Sequence, residues 1–173
     1  MLLTAVLLLG WPANGVQTQE QQPVAQPKVI DGRIHPELIP DSQAYFIVFN
    51  HLSQTVGNPE QEKVWIGHAV GLSDDDTEML LRIMRAYRKG FDAIVKTYND
   101  ANEDAIRTTG QPPDPSVLAT FKSKRNELVL ATRKDLDATL TPSGAHKFHA
   151  YVQMQKSTMV VTLEPGDPPT PKS

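Results

Sequence analysis

Hydrophobic residues recur along the middle of the chain with the period of an α-helix. From Ser73 onward their spacing alternates between four and three positions for almost four heptads, at Leu80, Met84, Tyr87, Phe91, Ile94, Tyr98, Ala101 and Ala105. This a/d pattern is typical of a helix that packs against another helix along its length. A breaker follows from Thr108 to Pro115, and the segment from Ser116 to Leu140 again carries apolar residues at helical spacing. The pattern predicts a long antiparallel helical hairpin.

Shorter helices are predicted on both sides of this hairpin. One begins at Pro40-Asp41-Ser42, and a second covers Glu60 to Val70. Thr141 caps a last helix that has Pro142 at its first position and runs through Met159. The only strand-like run, Val160 to Leu163, is too short to build a sheet. We therefore predict an all-α fold, a long antiparallel helical hairpin with packed N- and C-terminal helices.

The two ends of the chain differ in composition from the body. The apolar run MLLTAVLLLGW and the small residues after it predict a secretory signal peptide over residues 1–15. Such a run is about half of a bilayer span, so we expect no stable membrane insertion. Residues 16–30 are predicted to be a disordered leader rich in Gln and Pro, 31–163 a helical domain, and 164–173 a disordered Pro-rich tail. The predicted location is periplasmic or extracellular.

Composition excludes several classes of function. The chain has no cysteine, which rules out disulfides, thiolate metal sites and cysteine nucleophiles. A net charge of −3 and an aromatic content of 6% do not fit a nucleic-acid-binding protein. The string GHAVG, residues 67–71, resembles a hydrolase nucleophile elbow, but Ala69 stands where the nucleophile must be. We predict no catalytic residues, no cofactor and no enzymatic activity.

Two clusters have the residue types of a metal site. His146 and His149 lie three positions apart and could share one face of a helix with a divalent cation, given a third ligand from elsewhere. The structural alternative is that His149 borders the apolar face and His146 is solvated. The acids Asp74, Asp75 and Asp76 follow Ser73, where a helix N-terminus favours negative charge. Asp76 also occupies the capping-box position, so a structural role is predicted for these acids.

A basic stripe accompanies the apolar positions of the first hairpin helix. It consists of Arg82, Arg85, Lys89 and Lys96. Charges on long helices usually form a solvated face. The functional alternative is a surface that binds acidic or unfolded polypeptide.

The two helix starts LSDDD, residues 72–76, and LTPSG, residues 140–144, have nearly the same form. With the predicted hairpin, they make the chain resemble the LTxxQ-motif periplasmic proteins, the Spy/CpxP-like group. The family's glutamine is replaced by Asp76 in one copy and by Gly144 in the other, and Ser73 stands for the threonine.

The resemblance implies a small exported all-α hairpin that tends to dimerise, and it covers the architecture from Tyr45 to Met159. The family includes ATP-independent chaperones, envelope-stress regulators and metal-resistance proteins. We therefore expect an exported, non-enzymatic protein of the bacterial cell envelope that binds a polypeptide partner and forms a homodimer. The alternative is a periplasmic metal-binding or metal-responsive protein that uses His146 and His149.

Overall fold

The structure, a computed structural model, describes residues 28–54 and 58–163, and within these ranges it is predominantly helical. The predicted all-α fold, with a long antiparallel hairpin and packed terminal helices, is confirmed. The described helices are α1 (Asp41–Ser53), α2 (Pro59–Val70), α3 (Asp74–Thr109), α4 (Pro115–Thr139) and α5 (Pro142–Gln155). The predicted signal peptide, most of the leader and the tail lie outside the described residues.

The predicted helix boundaries are set by local hydrogen bonds. The Ser73 side chain accepts a hydrogen bond from the Asp76 backbone N–H at 3.2 Å, and the Thr141 hydroxyl accepts one from the Gly144 N–H at 3.0 Å. Both N-cap predictions are thus confirmed. Gly71 ends α2 in the left-handed conformation with φ of 74°, which glycine adopts without the strain that a side chain would add.

A two-stranded antiparallel sheet packs against the helical core. Its strands are β1 (Lys28–Asp31) and β2 (Val160–Leu163), and they pair Ile30 with Val161. Both of these side chains are buried in the core. The predictions that 160–163 forms no sheet and that the leader is disordered up to residue 30 are therefore wrong. The two strands lie near opposite ends of the described residues, so the sequence pattern of one strand does not reveal its partner.

The last helix is shorter than predicted. It ends at Gln155, and Lys156–Thr158 form a single 3-10 turn before β2. Met159 has an extended backbone, and its carbonyl accepts a hydrogen bond from the Gly32 N–H at 2.8 Å. This contact with the turn after β1 ends the helix, and it takes Met159 into the core beside the sheet.

Aromatic rings from three helices fill the centre of the body. Phe49 of α1 stacks on Phe148 of α5 with 6.1 Å between ring centroids, and it lies 5.3 Å from the ring of Tyr87 on α3. All three side chains are almost completely inaccessible to solvent. Burial of each is worth about 1.5 to 3 kcal/mol, so this cluster holds α1 and α5 against the hairpin.

The hairpin extends well beyond this core. No residue from 88 to 128 is fully buried, although α3 and α4 continue to pack against each other there. We call residues 88–128 the arm and the remaining described residues the body. The 22 residues of α3 in the arm span about 33 Å at 1.5 Å per residue. Within the described ranges, no helix has both the length and the apolar content of a membrane span.

Tyr87 lies on α3 directly before the arm begins. Its hydroxyl is buried and has no hydrogen-bond partner among the described residues. Burial also raises the pKa of Tyr87 to about 12. Because an unsatisfied buried hydroxyl costs about 1 to 3 kcal/mol, Tyr87→Phe is expected to raise the free energy of unfolding by about 1 kcal/mol in urea titrations. Tyr45→Phe is the control, since the Tyr45 hydroxyl has a partner, and it should lower that free energy. Equal losses in the two variants would show that the Tyr87 hydroxyl is satisfied.

Candidate functional site

The basic stripe lies on the solvent side of α3. Arg82, Arg85, Lys89 and Lys96 are all exposed. We call the a/d positions of the same helix, from Leu80 to Ala105, the seam, and its members Leu80, Met84 and Tyr87 are buried. The stripe therefore starts beside the body and continues onto the arm. Its placement on a solvated face agrees with the structural interpretation and also leaves the stripe accessible to a partner.

The members of the stripe differ in what they contact. Lys96 forms an ion pair with Asp100 at 2.6 Å, and the Arg82 guanidinium contacts the sulfur of Met79. Arg85 and Lys89 form no ion pair or hydrogen bond with any described residue. They are one helical turn apart, so they present two adjacent positive charges that no neighbouring carboxylate neutralises.

An apolar groove of about 500 Å³ runs between the two helices of the arm. Its lining is formed by side chains from both helices, chiefly Ala93, Ile94, Tyr98, Ala101, Val117 and Phe121. The rings of Tyr98 and Phe121 pack at 4.9 Å between centroids and hold the two helices together. Lys124 contributes the charged group at the groove, where it also pairs with Glu127 at 2.9 Å.

His146 and His149, the predicted metal ligands, have different surroundings. His146 is exposed, whereas His149 is half-buried with both ring nitrogens engaged. Its Nδ1 lies 2.6 Å from the Tyr45 hydroxyl, and its Nε2 lies 2.6 Å from Asp137. No group of three or more metal-ligating side chains lies together among the described residues. A metal at His149 would have to displace one of these contacts, and metal binding stays a prediction without a third ligand.

Tyr45, His149 and Asp137 form a hydrogen-bonded chain with the outline of a catalytic triad. When the ring carries its proton on Nε2, it accepts from the Tyr45 hydroxyl and donates to Asp137. The Tyr45 end of this hydrogen-bonded chain is inaccessible to solvent, because Tyr45 is only 2% exposed. Burial raises the pKa of Tyr45 to about 12, which opposes formation of a nucleophilic phenolate. The arrangement therefore links α1, α4 and α5 structurally.

An ion cluster lies beside this chain. The Lys156 ammonium, which is almost fully buried, donates to Asp41 at 2.7 Å, and Gln153 donates to the same carboxylate at 3.2 Å. Arg133 lies 3.9 Å from Asp41 and 4.8 Å above the ring of Tyr45. Burial alone would raise the pKa of Asp41, but the hydrogen bonds from Lys156 and Gln153 outweigh it and lower the pKa. The cluster joins α1 to the end of α5.

The two similar helix starts meet in space through one carboxylate. Asp76 is 5% exposed, and it accepts hydrogen bonds from the Thr141 backbone N–H and from the Thr141 hydroxyl, both at 2.8 Å. The Ser73 hydroxyl donates to it at 3.1 Å. Gly144 packs so closely that a Cβ there would overlap the carboxylate. Asp76 thus joins the N-termini of α3 and α5.

Comparisons with known proteins give no assignment for this arrangement. The chain matches no protein-family model, and neither the curated proteins nor the solved structures contain a match. The resemblance to the LTxxQ-motif proteins therefore stays a prediction. Sequence reasoning missed the Tyr45–His149–Asp137 chain and the Asp41 cluster, because their members lie on separate helices with no local motif to connect them.

Proposed function

We propose that this chain is an exported, non-enzymatic, partner-binding protein of the bacterial cell envelope with chaperone-like activity toward partly unfolded polypeptides. The observation that carries the proposal is the arm, a long projection with an apolar groove and an adjacent basic stripe. Self-association of the chain is part of this proposal. The location follows from the signal peptide predicted over residues 1–15.

The arm suits a polypeptide partner because its apolar surface is not used by the body. The seam residues beyond Tyr87 are only half-buried, although the same periodicity continues to Ala105. Contiguous apolar surface of this kind usually marks an interaction site. A groove between two helices accepts side chains of many shapes, as a protein that binds different unfolded segments requires.

The unpaired cations Arg85 and Lys89 support an acidic partner. Charges on an exposed face contribute mainly to the rate of encounter and to the choice of partner. An unfolded segment with carboxylates and apolar side chains would contact the stripe and the half-buried seam together. The stripe would then bring the client to the arm, while the apolar residues would hold it.

A suitable test measures the aggregation of reduced α-lactalbumin, an acidic client, by light scattering without ATP. The reductant does not affect the chain itself, which has no cysteine. An equimolar amount of wild-type protein is expected to slow aggregation, and Arg85→Glu/Lys89→Glu is expected to reduce this protection at least threefold. Raising the salt concentration should weaken the wild-type effect, since exposed charges are screened within about 10 Å at 0.1 M.

The matched control is Lys28→Glu/Lys134→Glu, which makes the same change in net charge at two exposed positions outside the stripe. This variant should protect the client as well as the wild type does. Equal losses in the two double variants would assign the effect to net charge rather than to the stripe. No protection at a fivefold excess of wild-type protein would contradict the chaperone-like activity.

A further inference from the structure

The side of β2 that faces away from β1 carries unused backbone groups in the described part of the chain. The Gly32 N–H donates to the Met159 carbonyl, and hydrogen-bonded and non-hydrogen-bonded pairs alternate along an antiparallel ladder. Val161 therefore bonds to β1, whereas Val160 and Thr162 turn their N–H and C=O groups outward. These four groups form no hydrogen bond with any described residue. They make a free edge, which is a template for a further strand.

The outer edge of β1 differs, because the turn that follows this strand occupies part of it. The Asp31 carbonyl accepts hydrogen bonds from the Ile34 and His35 N–H groups at 3.1 and 2.9 Å. The Asp31 carboxylate also pairs with the Arg33 guanidinium at 2.6 Å. On the other strand Val160 is 60% exposed, so the edge of β2 is open to solvent. A new strand is accommodated more easily beside β2.

A cavity of about 350 Å³ lies beside the start of β2, between this strand and the helices α1 and α5. Side chains alternate between the two faces of a strand, so Met159 shares the core face with Val161. Because Met159 lines the cavity, the cavity lies on the core side of the free edge. Its described lining includes no carboxylate, lysine or arginine. The apolar part of its wall comes chiefly from Ile47, Val48, Tyr151 and Met159.

We infer that β2 accepts an extended segment of another protein as a third strand, with one apolar side chain of that segment in the cavity. The segment runs antiparallel to β2, and its residues opposite Val160 and Thr162 exchange both backbone hydrogen bonds with them. The residue between these two turns its side chain to the core face, as Val161 does, and into the cavity. The backbone then provides affinity and the cavity provides specificity. This site is on the body, so it does not depend on the binding of clients to the arm.

Other extended segments fit this edge less well. Two β2 strands that paired about a two-fold axis would place Val161 opposite Val161, and this side chain is already buried in its own core, so both cavities would stay empty. The tail of the chain carries four prolines, Pro165, Pro168, Pro169 and Pro171. Proline has no N–H to donate to a ladder. The uncharged wall of the cavity further favours a segment with an aliphatic side chain at its centre.

A short synthetic peptide tests the site on the full chain. The probe is acetyl-Lys-Thr-Leu-Thr-Lys-amide, whose two threonines would face Val160 and Thr162 while its leucine enters the cavity. In a titration followed by amide NMR, the resonances of Val160 and Thr162 are expected to shift, and their hydrogen exchange should slow. No change in either resonance at about 2 mM peptide would overturn the inference.

Methylation of the peptide backbone separates strand addition from other binding modes. N-methylation of both threonines removes the two donors to β2, and it should weaken binding at least about tenfold. N-methylation of the leucine should have little effect, because its N–H points away from β2. Replacement of the leucine by aspartate should also weaken binding, since a carboxylate would then enter the apolar cavity. Equal affinities of the two methylated peptides would overturn the proposed pairing.

Proline substitution tests the same edge from the side of the protein. Thr162→Pro removes an outward N–H of β2 and leaves the hydrogen bonds to β1 in place, and Val29→Pro makes the matched change on the outer edge of β1. Only Thr162→Pro should weaken binding of the unmodified peptide, again by about tenfold. Equal affinities of the two variants would overturn the inference, and the methylated peptides decide the matter if a proline variant fails to fold.

Hydrogen exchange in the free protein shows whether the edge is available. Fast exchange of the Val160 and Thr162 amides is expected. Slow exchange without peptide would overturn the inference, because the edge would already be covered. A second copy would be the cover if the exchange slowed further as the protein concentration rose, and a segment of the same chain would be the cover if it did not.

Discussion

Asp76→Ala is expected to lower the free energy of unfolding by about 3 kcal/mol. The substitution removes a buried carboxylate that accepts hydrogen bonds from Ser73 and, twice, from Thr141. Hydrogen bonds to a charged group are worth about 1.5 to 3 kcal/mol each, and donors left without a partner add to the loss. Urea unfolding followed by circular dichroism measures the change. Asp75→Ala, at an exposed position in the same helical turn, is the control and should cost no more than about 1 kcal/mol.

Substitution of Gly144 tests the surroundings of the Asp76 carboxylate in a second way. A Cβ at Gly144 would lie 2.6 Å from Cγ and 2.9 Å from Oδ1 of Asp76, so Gly144→Ala alone should cost about 2 kcal/mol. In the Asp76→Ala background the space is free, and alanine is favoured over glycine in a helix by about 1 kcal/mol. The second substitution should then be neutral or stabilising. Additive losses would show that Asp76 and Gly144 are not coupled.

The contribution of Asp76 should also depend on pH. Burial alone would raise its pKa, but the hydrogen bonds from Thr141 and Ser73 outweigh burial, so the folded-state pKa is lowered. A lowered carboxyl pKa stabilises the fold above the unfolded value of about 3.9, and this stability is lost as the pH falls through the folded-state value. The stability difference between the wild type and Asp76→Asn should therefore shrink below about pH 4. A constant difference down to pH 2 would contradict the ionised state of Asp76.

Local patterns predicted the helices well because local interactions decide where helices begin and end. The hydroxyls of Ser73 and Thr141 act within their own first turns, and Gly71 needs only its own left-handed backbone. The role of Asp76 could be predicted only in part. Its capping-box position indicated a structural group, yet its carboxylate accepts from Thr141, 65 residues later. The choice of that partner depends on how α5 folds back, which no spacing within α3 encodes.

The same distinction explains the misplaced strands and the limits of the seam. Periodicity predicted a partner helix along the whole of α3, and α4 does pack along it. It could not show that the body ends near Tyr87 and leaves the rest as an arm, since body and arm share one heptad pattern. Likewise, the four residues of β2 carry no sign of β1, which pairs with them from the other end of the chain.

Gly32→Ala is expected to cost about 3 kcal/mol, because the added methyl group would meet backbone atoms. Its Cβ would lie 2.9 Å from the Met159 carbonyl oxygen and closer still to that of Lys156. Neither carbonyl can move easily, since Met159 accepts the Gly32 N–H and the Lys156 side chain is held by Asp41. Gly71→Ala is the matched control, with open space around it and only its φ of 74° to oppose a side chain, at a cost of about 1 kcal/mol. Equal losses in urea unfolding would show that the turn after β1 does not pack against the end of α5.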